Sequence, residues 1–111
     1  KLVTVNPRLQ QSSVVVITSD HGGDGKSHDK KTDPLNFTVP FMIWGKGVAK
    51  GADLYKINSD RRTDPSNRRI LYQQNKQPIR NADAANLILS LFGFASVEGS
   101  TQGFDKPLKI N

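Results

Sequence analysis

Apolar residues gather in five places along this chain, at 13–18, 37–44, 54–57, 70–72 and 84–97, with long polar stretches between them. Val14-Val15-Val16-Ile17-Thr18 is a continuous run of strand length and β-branched throughout. Such a run reads as a buried central strand of a parallel sheet rather than as a helix. Phe37 to Trp44 predicts a second strand. Pro40 inside it cannot donate to a ladder, so it marks an edge, a strand start, or a strand that begins after the proline. In Ala82 to Phe92, Ala84, Leu87, Ile88, Leu91 and Phe92 recur at helical spacing and predict one apolar face. Asn81 or Asp83 can cap that helix, and Gly93 stops it.

The polar stretches read differently from one another. Asn6-Pro7, after a short apolar opening, marks a turn or a helix start. Residues 22–36 are rich in Gly, Lys and Asp without periodicity and form a long loop, which in a compact domain is a mark of function or disorder. Residues 58–69 are the most polar segment and read as a surface excursion. Ile70-Leu71-Tyr72 could add a brief strand, and Phe41 and Trp44 are most simply core residues. The tail from Glu98 onward is turn-rich. One helix and two or three strands do not close a doubly wound domain, so an apolar helix face and a two-sided strand lack partners within these 111 residues. The chain reads as a fragment of one larger domain, and its opening Lys1-Leu2-Val3-Thr4 as an excised start.

Charge and composition narrow the classes. Sixteen Lys and Arg against ten Asp and Glu give a net charge of +6. The positive residues are scattered, however, with no basic stripe interleaved with aromatics, which disfavours a nucleic-acid partner. The surplus could still help to attract anionic substrates. Without cysteine, disulfides and thiolate-bound zinc are excluded, and any metal ligand must be His, Asp or Glu. No apolar run reaches the roughly 20 residues of a membrane-spanning helix, and the N-terminus lacks a signal-like core.

The chemistry concentrates where the first strand ends. Thr18-Ser19-Asp20-His21-Gly22-Gly23 sets a carboxylate and an imidazole beside each other just beyond a buried strand, where α/β sheets place their sites. Gly22 and Gly23 can take positive φ and let the two side chains converge. His28, the only other histidine, follows seven residues later. Carboxylate plus imidazole suits Zn²⁺ or Mn²⁺ better than Ca²⁺, and His28 could ligate the same ion or a second one nearby. Taken singly, the Asp-His pair reads as a cap or surface pair, and His28 as an ordinary loop residue. Position and the second histidine raise the pair to a candidate. Thr18 and Ser19 bond locally to the turn, since no nucleophile elbow surrounds them. Residues 22–27 miss the spacing of a phosphate loop, and Asp24, Asp29 and Asp33 that of a calcium loop.

Thr18-Ser-Asp-His-Gly-Gly, Gly25-Lys-Ser-His28 and Thr38-Val-Pro-Phe-Met-Ile-Trp-Gly, in that order, resemble the C-terminal part of the alkaline phosphatase superfamily. The similarity is to its type I phosphodiesterase/nucleotide pyrophosphatase-like branch, and it continues through Gly51-Ala-Asp-Leu-Tyr, Gln77-Pro-Ile-Arg-Asn-Ala-Asp-Ala-Ala-Asn and Leu91-Phe-Gly-Phe…Glu98-Gly-Ser. The resemblance implies an α/β fold, here the C-terminal part of a three-layer α/β/α domain that is incomplete on its own. It implies two divalent ions, commonly Zn²⁺, with Mn²⁺ or Mg²⁺ as alternatives. Asp20 and His21 match the paired ligands of one ion, and His28 a ligand of the other. The family's Thr or Ser nucleophile and its further Asp and His ligands lie upstream, and nothing in residues 1–13 matches them. Residues 22–36 become the active-site loop.

The reading that follows is a metal-dependent hydrolase of phosphodiesters or pyrophosphates, with a phosphate-ester small molecule or nucleotide as substrate. It needs the missing N-terminal segment as partner, and the piece alone is expected to bind metal weakly and catalyse nothing. Export follows only by analogy. Two other classes stay open: a degenerate, non-catalytic superfamily domain acting as a binding or structural module, and a cationic nucleic-acid binder.

Overall fold

The structure, a computed structural model, describes residues 5–103 and 106–111. The apolar opening at residues 1–4 lies outside them. Asn6 caps the first described helix, α1 (Pro7–Ser12), its side-chain oxygen accepting from the amides of Arg8 at 3.0 Å and Leu9 at 3.3 Å. Pro7 suits the first turn, where no intrahelical amide is lost. Strand β1 (Val14–Thr18) follows directly and pairs with β2 (Phe41–Gly45). The second strand begins immediately after Pro40, where the missing donor costs the ladder nothing.

The pairing is antiparallel, in register from Val14 opposite Gly45 to Thr18 opposite Phe41. The parallel central strand expected from the β-branched run is thus, among the described residues, one half of a two-stranded antiparallel ribbon. An unbroken apolar run needs two covered faces and says nothing of strand direction. One face is covered: Val16, Phe41 and Ile43 pack on a cluster of Leu87, Leu108 and Ile110. On the other, Ile17, Met42 and Trp44 stay 51%, 54% and 46% exposed. Trp44 is therefore not a core residue of the described structure, whereas Phe41 is half-buried against the core.

Within 22–36, Asp24 and Ser27 form an isolated antiparallel bridge, and Asp33 caps a one-turn helix, α2 (Pro34–Phe37). The loop is therefore not structureless. Asp53 caps another single turn, α3 (Leu54–Ile57). Residues 70–72 form no strand, and Leu71 and Tyr72 are exposed.

The longest helix, α4 (Asp83–Leu91), ends as its sequence predicts. Gly93 takes φ +73°, Gly93 N–H donates to Ser90 O at 3.1 Å and Phe94 N–H to Leu89 O at 2.9 Å, a Schellman closure. Its start departs from expectation, because neither Asn81 nor Asp83 caps it. The buried stripe is also different: Asp83, Asn86 and Leu87 are buried, while Ile88, Leu91 and Phe92 are exposed. A polar pair explains the shift. Asp83 Oδ1 accepts from Arg62 Nη2 at 2.6 Å and Oδ2 from the Arg80 amide at 2.9 Å, with the two side chains only 1% and 7% exposed. Arg62 also donates to Lys106 O and Arg61 O.

Residues 58–69 consequently do not lie wholly on the surface. Asn58 is fully buried, and its amide group bonds Leu54 O and both the N–H and C=O of Lys109. The tail that read as turn-rich supplies Leu108 and Ile110 to the core, tied by the Ala49 amide to Ile110 O at 2.7 Å. Removing one partner of a buried ion pair leaves the other charge stranded, at a cost of about 3–5 kcal/mol. Asp83→Ala is therefore expected to lower unfolding free energy by that amount in urea titration. A loss below about 1 kcal/mol, the range of surface ion pairs, contradicts this assignment.

Candidate metal centre

Beyond Thr18 the chain turns sharply, and local polar groups fix the turn. Ser19 Oγ donates to His21 O at 2.6 Å, and the His21 amide donates to Asp20 Oδ1 at 2.9 Å. Two distant elements then clamp it. Asn81, just ahead of α4, donates its side-chain amide to Ser19 O at 3.2 Å and Asp20 O at 2.9 Å. On the other side the Gly22 amide donates to Asn36 O at 3.0 Å, against α2. Neither Gly22 nor Gly23 has a positive φ. Gly22 serves close approach instead, for a Cβ there would overlap the carbonyl oxygens of Leu35 and Thr38.

The Asp24–Ser27 bridge, turning at Gly25 with φ +60°, brings His28 back onto His21. The two imidazoles stack with centroids 4.3 Å apart and planes 16° from parallel. His21 Nδ1 lies 2.6 Å from Gly22 O. A carbonyl only accepts, so Nδ1 carries the proton and Nε2 offers its lone pair, the arrangement that orients metal-binding histidines. That Nε2 is 3.6 Å from Asp20 Oδ2. Two ligand atoms at about 2.0 Å from a tetrahedral Zn²⁺ stand about 3.3 Å apart, so the pair has close to the bite of a chelate. Asp20 is ionised at neutral pH: the hydrogen bond from the His21 amide, foremost, holds its carboxyl below the usual carboxylate range.

Stacked rings have in-plane lone pairs in separate, nearly parallel planes, which suits two neighbouring ions rather than one shared ion. Among the described residues no three His, Cys, Asp or Glu side chains are arranged around a single metal position. Asp20, His21 and His28 thus come together in space, as an Asp–His pair with a third ring stacked on it. Asp29, next to His28 in the chain, has its carboxyl held below the usual range first by the Ser27 hydroxyl.

Asp20 and His21 also line a cavity of about 420 Å³ whose far walls come from 64–72 and 78–81. Sequence reading singled out none of these wall residues for a site, nor the gripping role of Asn81 and Asn36. Asn81 sits where a helix cap belongs, and nothing in its spacing points to a strand end 61 residues away. Comparison with protein-family models, with curated proteins and with solved structures finds no match.

The two glycines separate close approach from mere flexibility. Gly22→Ala is expected to abolish the ring-to-ring NOE between His21 and His28, whereas Gly23→Ala, whose Cβ would meet only Ser27 O at 3.4 Å, keeps it. Equal behaviour of the two variants contradicts the close-approach argument.

Proposed function

We propose that this chain is the C-terminal segment of an alkaline phosphatase-like α/β/α domain that hydrolyses phosphoric esters, with Asp20, His21 and His28 as ligands to two divalent ions, Zn²⁺ foremost. The observation that carries the reading is the spacing of His21 Nε2 and Asp20 Oδ2, 3.6 Å, with the opposite ring nitrogen tied to Gly22 O. The ordered motif series from Thr18 to Trp44 supports it independently.

Bound ions would supply charge for the phosphoryl oxygens and for an attacking alkoxide. The chain's own groups do the positioning. Asn81 and Gly22 hold the turn from two sides, so Asp20 and His21 are preorganised rather than ordered on binding. Asp20 brings a full negative charge, and Gly22 O fixes the tautomer of His21. The uncovered face of the ribbon, with Ile17, Met42 and Trp44, is what a strand pair inside a layered α/β/α sheet presents to a second layer. That face supports a partner segment supplying the nucleophile and remaining ligands.

Zinc titration calorimetry of the chain is expected to give measurable binding that His21→Ala and His28→Ala each weaken at least tenfold, the loss that even an outer-shell partner of a ligand causes. The domain completed by an N-terminal segment with a Thr or Ser nucleophile is expected to hydrolyse bis(p-nitrophenyl) phosphate, to lose that activity to a chelator and to regain it with zinc. Undiminished hydrolysis after His21→Ala overturns the ligand assignment. Tight zinc binding without hydrolysis in the completed domain favours instead a degenerate module that binds and does not cleave.

A further inference from the structure

The turn that carries His28 back onto His21 holds a reactive pair of groups that binding a metal does not use. Asp24-Gly25 is the one place in the chain where an Asp or Asn precedes a glycine. A glycine amide nitrogen is the least hindered of backbone nucleophiles, because no side chain crowds its approach to the preceding side-chain carbonyl carbon. Both residues are exposed, and apart from chain neighbours no atom lies within 4 Å of where a Cβ on Gly25 would stand. The Gly25 N–H donates to no described residue.

The Asp24 carboxylate is unusual among its kind. Asp20, Asp33, Asp53 and Asp64 each accept from a backbone amide one or two residues ahead. Asp29 accepts from the Ser27 hydroxyl, and Asp60 and Asp83 pair with Lys109 and Arg62. Among the described residues Asp24 alone of the aspartates has a side chain with no hydrogen bond or ion pair. Its backbone, by contrast, makes the bridge: Asp24 N–H donates to Ser27 O at 2.8 Å, and Ser27 N–H to Asp24 O at 3.0 Å. A free carboxyl and a free amide thus meet in the turn that sets the two imidazoles face to face.

We infer that Asp24 is a modification site, where spontaneous isomerisation to isoaspartate dismantles the stack of His21 and His28. The Gly25 nitrogen bonds to Asp24 Cγ and gives up its proton, and a carboxyl oxygen leaves as water, closing a succinimide ring. Water then adds to the main-chain carbonyl carbon of Asp24, and the bond from that carbon to the Gly25 nitrogen breaks. The water lost is regained, and nothing is oxidised or reduced. The chain now runs through Cβ and Cγ, one methylene longer, and the carbonyl that accepted from Ser27 has become a carboxylate off the main chain. A two-residue turn has no slack for an added atom, so the bridge opens and His28 leaves His21. The inference goes beyond the hydrolase reading and holds whether or not that reading does.

The test is prolonged warm incubation of the chain at neutral pH in chelator. Isoaspartate is located by peptide mapping with electron-transfer fragmentation, while the ring-to-ring NOE between His21 and His28 is followed in the same samples. Isoaspartate is expected to accumulate at Asp24 ahead of every other aspartate, with the NOE lost in step. Asp24→Glu, which would have to close a larger ring, keeps the NOE throughout. Asp24→Asn, whose amide leaves as ammonia, loses it sooner than the unsubstituted chain. Neither substitution touches the bridge, which uses only backbone atoms of residue 24, so both variants start with the NOE intact. Isoaspartate forming no faster at Asp24 than at Asp29 or Asp60 overturns the inference. So does an NOE that survives in chains already isomerised at Asp24, or one that Asp24→Glu loses at the unsubstituted pace.

Discussion

The buried contact between Arg62 and Asp83 is the constraint on which the remaining arrangement depends. Asp83 opens α4, and the guanidinium that meets it at 2.6 Å also reaches the carbonyl of Lys106. One ion pair therefore ties the polar 58–69 segment, the start of the longest helix and the C-terminal tail. Asn81, two residues ahead of Asp83, grips the backbone of Ser19 and Asp20. The position of the candidate ligands is thus set at the same junction that holds the core. A change that freed Asp83 would loosen both.

This core is small and unusually polar. Among the described residues, Leu87, Leu108 and Ile110 are its buried apolar members, and Asn58, Arg62, Asp83 and Asn86 are buried polar ones. Each asparagine closes its own bonds: Asn86 takes Val97 N–H and gives to Ser100 Oγ and Gln102 O, as Asn58 does to Lys109 on both backbone sides. Satisfied networks of this kind fix one arrangement of loops that hydrophobic contact alone would leave free to slide. They contribute specificity more than stability, in keeping with a ribbon whose second apolar face is still uncovered.

Much of this was legible in the sequence where the signal is local. The β-branched run gave β1 at its exact bounds, Pro40 marked where β2 could begin, and Gly93 closed α4, because each rests on the backbone preferences of a few adjacent residues. Strand direction was not legible, since an apolar run reports burial and not its partner. The helix face differs because apolar periodicity does not register Asp83 and Asn86, and paired polar groups bury readily. Alternation of Leu108 and Ile110 was the signal for a paired tail and went unread among the surrounding polar residues. At the candidate site, Asp20, His21 and His28 were legible from type and order. The grip of Asn81 and the close approach at Gly22 come from contacts distant in sequence, which no periodicity encodes.

The central claim is that imidazole and carboxylate groups at the end of β1 share the coordination of a divalent ion. X-ray absorption at the zinc edge, on the chain loaded with substoichiometric Zn²⁺, tests it most directly. The account predicts a shell of nitrogen and oxygen near 2.0 Å with the outer scattering of imidazole carbons, lost when His21 is replaced. A six-oxygen hydrated shell without imidazole scattering contradicts it.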